Sequence, residues 1–165
     1  MNRLQILLWR KHPGDLLGNA IQFLTHGPWE HAGFRLPNSR TVHELYLPEL
    51  RDREMADAEI PLVDAFDIEG LTDVQEDHFL HWFATMKRVR MGYSIADLFR
   101  IELNAPFPSD LQGVCSAYVI KACSVCLPPA QLPLVRCSWD QVSPRDLGIS
   151  PRLIGPVAIE EEGAA

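Results

Sequence analysis

The sequence predicts an α+β domain, because strand patterns and helix patterns fall in separate blocks of the chain. Two stretches in the first half, His31 to Leu36 and Thr41 to Leu47, read as consecutive strands joined by Pro37-Asn38-Ser39-Arg40. Pro and Asn supply the turn, which makes the pair an antiparallel hairpin. In the second half the period changes to that of helices, and Ser or Thr precedes Gln or Asp by three residues at the expected helix starts. With 165 residues and 47% hydrophobic composition the chain is one domain, expected over residues 1–158.

The elements follow in order. Leu4 to Trp9 is an apolar strand, ended by His12-Pro13-Gly14. Asp15 can cap a short helix to about Thr25, with Leu16, Ala20, Phe23 and Leu24 on its apolar face and His26-Gly27-Pro28 as its stop. After the hairpin, Glu59 to Val63 is a further strand candidate, and the acidic run Asp52, Glu54, Asp57, Glu59 reads as loop surface. Thr72 and Gln75 form a capping box for a helix to about Val89, with Val74, Phe79, Trp82, Phe83 and Met86 on one broad face. Ser94 and Asp97 cap a second helix through Glu102, and the proline-rich segment Asn104 to Asp110 is a loop. Val114 to Cys126 is a third helix, stopped by Pro128-Pro129. Ser143, Pro144 and Asp146 predict one short helical turn, with Pro at its first position. Arg152 to Ile159 can form a last strand, and residues 159–165 read as a frayed tail.

Charge narrows the partners. Fifteen Lys and Arg against 22 Asp and Glu leave a formal net charge of −7. A nucleic-acid binder carries a basic footprint, and an anionic membrane surface attracts basic segments, so neither is the expected partner. No window approaches the roughly 18 apolar residues of a membrane span. The opening MNRLQILLW is too short in its apolar run for a signal peptide, so the expected location is cytoplasmic as synthesised, or reached by a route without an N-terminal signal. The four cysteines are Cys115, Cys123, Cys126 and Cys137. Their spacing lacks the second CxxC of a four-thiolate zinc site, so no metal is expected, and Cys123 and Cys126 read as small apolar residues of a buried helix. His78 and His81, three apart, lack a convincing third ligand and read as one solvated face.

Three residue types remain that together carry chemistry. Cys115 opens the helix CSAYVIKAC, where unpaired N–H groups and the helix dipole favour thiolate, a nucleophile at neutral pH. The N–H of the same residue can serve an oxyanion. His31 opens the strand HAGFRL, with Gly33 on its face, and a Cys–His pair is the minimum for nucleophilic acyl transfer. An acceptor must then orient the imidazole. His43 and Glu44 lie on the partner strand and point to opposite faces, so only one shares the face of His31. Glu44 is preferred, with His43 as the alternative third residue.

The order of these elements resembles a known family. The stretch HPGDLLGNAIQFLTHGPWEHAGFRL is similar to the opening of the permuted NlpC/P60-type papain-like proteins of the YiiX and YebB group. The shared elements are Gly14-Asp15, then His31-Ala32-Gly33-Phe34, then VHEL around Glu44. Gly92-Tyr93-Ser94, Cys115-Ser116 at a helix start and Pro144-Arg145-Asp146-Leu147 follow. Leu45 departs from the alanine common after the glutamate, and His43 matches the third residue of the unpermuted peptidases. His31 precedes Cys115, which implies the circularly permuted order.

The resemblance implies a permuted papain-like fold, with a small antiparallel sheet packed on the cysteine-bearing helix. It implies a cysteine hydrolase that cuts amide bonds through an acyl-enzyme, with no cofactor. Cys115, His31 and Glu44 would be catalytic, and Tyr93, Ser116 and Trp29 are oxyanion or substrate candidates. Peptide of the peptidoglycan type is the leading substrate class, and a delivered or phage-encoded enzyme would suit the missing signal. The alternatives are a lipid or thioester acyl hydrolase and a catalytically silent binding module.

Overall fold

The computed structural model describes residues 3–11, 27–93, 112–134 and 142–159. The helices expected from Asp15 and from Ser94, the loop Asn104 to Asp110, and Cys137 lie outside them. Within them the chain runs β1 (Gln5–Trp9), β2 (His31–Arg35), β3 (Thr41–Tyr46), β4 (Glu49–Glu54) and a 3-10 turn (Asp57–Leu62). Then come β5 (Val63–Ile68), α1 (Asp73–Arg88), β6 (Gly92–Tyr93) and β7 (Gln112–Gly113). The chain continues through α2 (Cys115–Cys126), a 3-10 turn (Pro129–Gln131), α3 (Pro144–Gly148) and β8 (Leu153–Val157).

The strands form one sheet in the order β7-β6-β4-β3-β2-β1-β5-β8. All neighbours are antiparallel except β6 and β7, which are parallel. The architecture is therefore α+β, with a larger sheet than the expected small one. β1 and β2 sit inside the sheet with every residue buried, which fits the apolar run Ile6 to Trp9 in β1.

Alternation along the strands divides the core in two. On one face Leu4, Ile6, Leu8, Ala32, Phe34, Leu45 and Phe66 meet Phe79, Trp82 and Phe83 of α1 and Tyr118, Val119 and Ala122 of α2. Phe34 holds this layer together, its ring 5.6 Å from Phe79, 4.9 Å from Phe83 and 6.3 Å from Tyr118. On the other face Leu7, Trp9, Val42, Met55, Val63 and Ala65 form a second, smaller cluster.

The caps agree with the expected starts. The Gln75 N–H donates to Thr72 Oγ1 at 3.3 Å and the Thr72 N–H to Gln75 Oε1 at 2.9 Å, closing the box that opens α1. Ser143 and Asp146 make the same arrangement for α3, with Pro144 at the first helical position. Three expectations change. Asp52 and Glu54 belong to β4, not to a loop, and Glu59 is buried; Asp52 and Glu59 are held by basic partners described below. Glu59 to Val63 is not a strand: Pro61 lies in the 3-10 turn and β5 begins at Val63. Val74 is exposed, since it falls in the first turn of α1 beyond the reach of the sheet.

Candidate active site

His31 is the first residue of β2 and is buried. Its Nε2 lies 3.0 Å from Oε2 of Glu44. The ring rests against Trp9, with centroids 5.2 Å apart, and edge-on to Tyr46 at 5.5 Å. The face it occupies is that of Trp9 and Glu44. Gly33 shares it, and a Cβ there would stand 3.1 Å from Glu44 Cβ and 3.4 Å from the Trp9 ring, so glycine is what lets the two strands close around the pair.

Glu44 is fully buried and must be compensated to stay ionised. Its Oε1 accepts from Arg51 Nε at 2.9 Å and Nη2 at 2.7 Å, and from Arg53 Nε at 2.8 Å. Arg53 also grips Glu59, donating to Oε1 at 2.7 Å and Oε2 at 2.8 Å. Burial works against the Arg53 guanidinium, but its bonds to Glu59 and Glu44 outweigh this and raise its pKa. Burial likewise opposes the charge of Glu59, and Arg53 and the Ala56 N–H outweigh it and hold its pKa down. A carboxylate held by two guanidinium groups can only accept. His31 therefore donates from Nε2, and in the neutral ring Nδ1 carries the lone pair.

His43, the alternative third residue, points to the opposite face, stacked on Phe83 with centroids 4.2 Å apart. Its Nδ1 lies 2.5 Å from Asp52 Oδ1 and its Nε2 2.6 Å from the Tyr118 hydroxyl. Burial lowers the His43 pKa despite the Asp52 carboxylate. The hydrogen bond from His43 is the main cause that brings Asp52 down to about 2. Burial raises that of Tyr118. These directions fit one proton arrangement: a neutral His43 donates from Nδ1 to Asp52 and accepts the Tyr118 proton at Nε2. Both ring nitrogens are thus committed to the interface between sheet and helix.

Cys115 is the first residue of α2 and is buried. Val114, at the N-cap, has no side chain that can accept a hydrogen bond, and the first turn holds no acid. Nothing in that turn itself competes with a thiolate for the dipole and the leading N–H groups. Chain pairing sets where this end lies. Tyr46 pairs with Glu49, Glu49 with Gly92, and Gly92 with Gln112, three residues before Cys115. One turn beyond Cys115, Tyr118 reaches His43, the partner of Phe34. α2 thus starts at the end of the sheet where His31 and Tyr46 stand and runs towards Phe34, packed on the face opposite the His31 ring: Cys115 lies in the cluster of Phe34 and Tyr118, and His31 lies with Trp9 and Glu44.

The remaining candidates are placed as follows. Tyr93 is half-buried beside Gly113, its register partner, two residues before Cys115. The Ser116 hydroxyl donates to the Val142 carbonyl at 2.5 Å and ties α2 to the start of α3. Trp29 donates from Nε1 to Asp64 at 2.7 Å and lies over Gly148, covering the core. Cys123 and Cys126 are buried, and burial raises both thiol pKa values, that of Cys126 to about 11. Among the described residues no group of three His, Cys, Asp or Glu is placed to hold a metal ion, and no helix is long and apolar enough to cross a membrane.

Arg51, Arg53 and Tyr118 are not singled out from the sequence, and Asp52 and Glu59 are read there only as loop surface. Their signal was present: in β4 Arg51 and Arg53 are two apart, and Arg51 pairs with Glu44. Recognising ELRDRE as a strand would have set both guanidinium groups on the face of Glu44. No protein-family model and no curated protein matches the chain.

Proposed function

We propose that this chain is a cysteine hydrolase of the permuted papain-like type, with Cys115 as nucleophile, His31 as base and Glu44 as the group that orients it. The observation that carries the reading is the buried His31–Glu44 pair, which presents Nδ1 as the basic atom. The helix that starts with Cys115 begins at the same end of the sheet but packs on its opposite face, so the reading requires the thiol to reach the imidazole around the end of β2. In this reading the Cys115 thiol gives its proton to Nδ1 and the sulfur attacks an amide carbonyl carbon. The tetrahedral oxyanion collapses as the C–N bond breaks, and Nδ1 returns the proton to the leaving amine. Water then attacks the thioester carbon, its proton passes to Nδ1, and cleavage of the C–S bond restores the thiol. The substrate class, peptide of the peptidoglycan type, rests on the resemblance in the order of motifs.

One observation favours a second reading. Cys115 is 1% exposed and packs within the main core, as a residue of a catalytically silent module would. Purified sacculi distinguish the two. The hydrolase releases free amines, and Cys115→Ala abolishes the release. A thioester and a lipid ester run beside them identify acyl hydrolysis if they turn over and sacculi do not. No turnover of any of the three, with Cys115 alkylated no faster than the buried Cys123, assigns the chain to the silent module.

A further inference from the structure

We propose that Arg51 and Arg53 are positioning residues for His31: through Glu44 they fix its tautomer and set its proton affinity. The inference deepens the hydrolase reading and rests on it for its meaning, but its test needs no turnover.

Four elements contribute to the surroundings of the His31–Glu44 pair, besides Cys115 of α2, the proton donor of the proposed reaction. β1 contributes the uncharged Trp9, and β3 contributes Glu44 and Tyr46. β4 contributes Arg51 and Arg53, and the 3-10 turn contributes Glu59 through Arg53. Glu44, Glu59, Arg51 and Arg53 form a linked set of two carboxylates and two guanidinium groups, whose formal charges cancel. Its geometry is divided: both arginines bind Oε1 of Glu44, and Oε2 meets His31. The three donors on Oε1 fix the carboxylate plane, so Oε2 is held at Nε2 and the imidazole cannot turn without losing that bond. The guanidinium charges also offset the carboxylate that His31 faces. A lone buried Glu44 would favour imidazolium strongly, whereas the neutral set leaves Nδ1 able to release the proton it takes. Arg51 is further located by its guanidinium lying 4.2 Å above the Tyr46 ring, which itself touches His31.

Charge arithmetic gives responses of opposite sign. Arg51 is 39% exposed, so Arg51→Gln is tolerated and leaves one unshared negative charge beside His31. Glu59→Gln removes a negative charge from the far side of Arg53 and leaves one unshared positive charge. The imidazole resonances of the full-length protein are followed by NMR across pH, with His31 assigned through His31→Gln. The expected midpoint for His31 moves up by about one pH unit in Arg51→Gln and down in Glu59→Gln, with Arg51→Lys close to the parent. Shifts of the same sign in the first two variants, or no shift in either, overturn the proposal, since loosening alone cannot produce opposite signs. If Arg51→Gln fails to fold, Glu59→Gln against the parent still decides, a downward move supporting the proposal and any other result overturning it. Failure of the hydrolase reading shows separately, as absence of turnover by the parent protein.

Discussion

Removing the Tyr118 hydroxyl tests how α2 is seated on the sheet. Tyr118→Phe keeps the ring, which packs on Trp82 at 5.2 Å and on Phe34 at 6.3 Å, so no cavity of consequence opens. What changes is His43. Its Nδ1 stays on Asp52, and its Nε2 loses the only donor described for it, at 2.6 Å, while remaining 1% exposed. A buried acceptor left without its partner costs about 1–3 kcal/mol, and the relief of no longer burying a phenol hydroxyl offsets part of that. The net expectation is about 2 kcal/mol. For a chain of this length that is a fall in Tm of roughly 4–8 °C. Thermal unfolding by circular dichroism measures the single variant, and a cycle with His43→Ala isolates the pair. The coupling between the two positions should be at least about 0.5 kcal/mol. A Tm within 1 °C of the parent, or additive effects in the double variant, would refute the reasoning that this hydrogen bond anchors the helix.

Three further outcomes follow from the same geometry. Burial holds the folded-state pKa of His43 below its ordinary 6.5, so as pH falls below that value the unfolded chain binds a proton the folded chain does not. Stability should therefore drop from about pH 6.5 downward, with a further loss between 3.8 and about 2 as Asp52 protonates; urea midpoints that stay flat from pH 7.5 to 5 contradict this. In Gly148→Ala a helix-propensity gain of about 1 kcal/mol opposes a Cβ placed 2.3 Å from the Trp29 ring, and the clash, at about 1–3 kcal/mol or more, wins. A Trp29→Ala background should reverse the sign, and chemical denaturation of the four proteins reads it. Cys126, with its pKa pushed up to about 11, and Cys123, pushed higher still, should resist iodoacetamide at pH 8 in the native protein and react fully in denaturant; equal rates in the two conditions exclude the buried placement.

The parts of the fold legible in the sequence are those fixed by short-range chemistry. The hairpin of β2 and β3 announces itself by its turn, and α1 by the Thr72–Gln75 box. α2 was legible from an apolar run ended by a proline pair. β4 was not legible, because ELRDRE has the composition of solvated surface. Its charges are compatible with a strand only once their partners are known: Asp52 with His43 and Lys87, Arg51 and Arg53 with Glu44 and Glu59. The order of strands was also beyond local reading, since β1 pairs with β5 across more than fifty residues. Ser116 and Trp29 looked like candidates for chemistry because position in a motif does not show where a hydroxyl or an indole N–H is directed.

The adjacent residues His43 and Glu44 show how strand alternation separates two roles that the sequence places side by side. Both are buried polar groups, and each could serve as the acceptor for His31. The pleat sends them to opposite faces, and the partners on each face then decide what each can do. On the helix face His43 finds an acceptor in Asp52 and a donor in Tyr118, which satisfies both nitrogens and leaves it a fastener between β3, β4 and α2. On the other face Glu44 finds two guanidinium groups, which keep it ionised while fully buried, and one imidazole. Exchanging the two residues would fail on both faces. A carboxylate in place of His43 would face Asp52 and accept nothing from it. An imidazole in place of Glu44 would face two guanidinium groups with no negative charge to hold them. The order His-Glu, and not Glu-His, is therefore required by the charges already fixed on β4, and it is β4 that makes Glu44 the partner of His31.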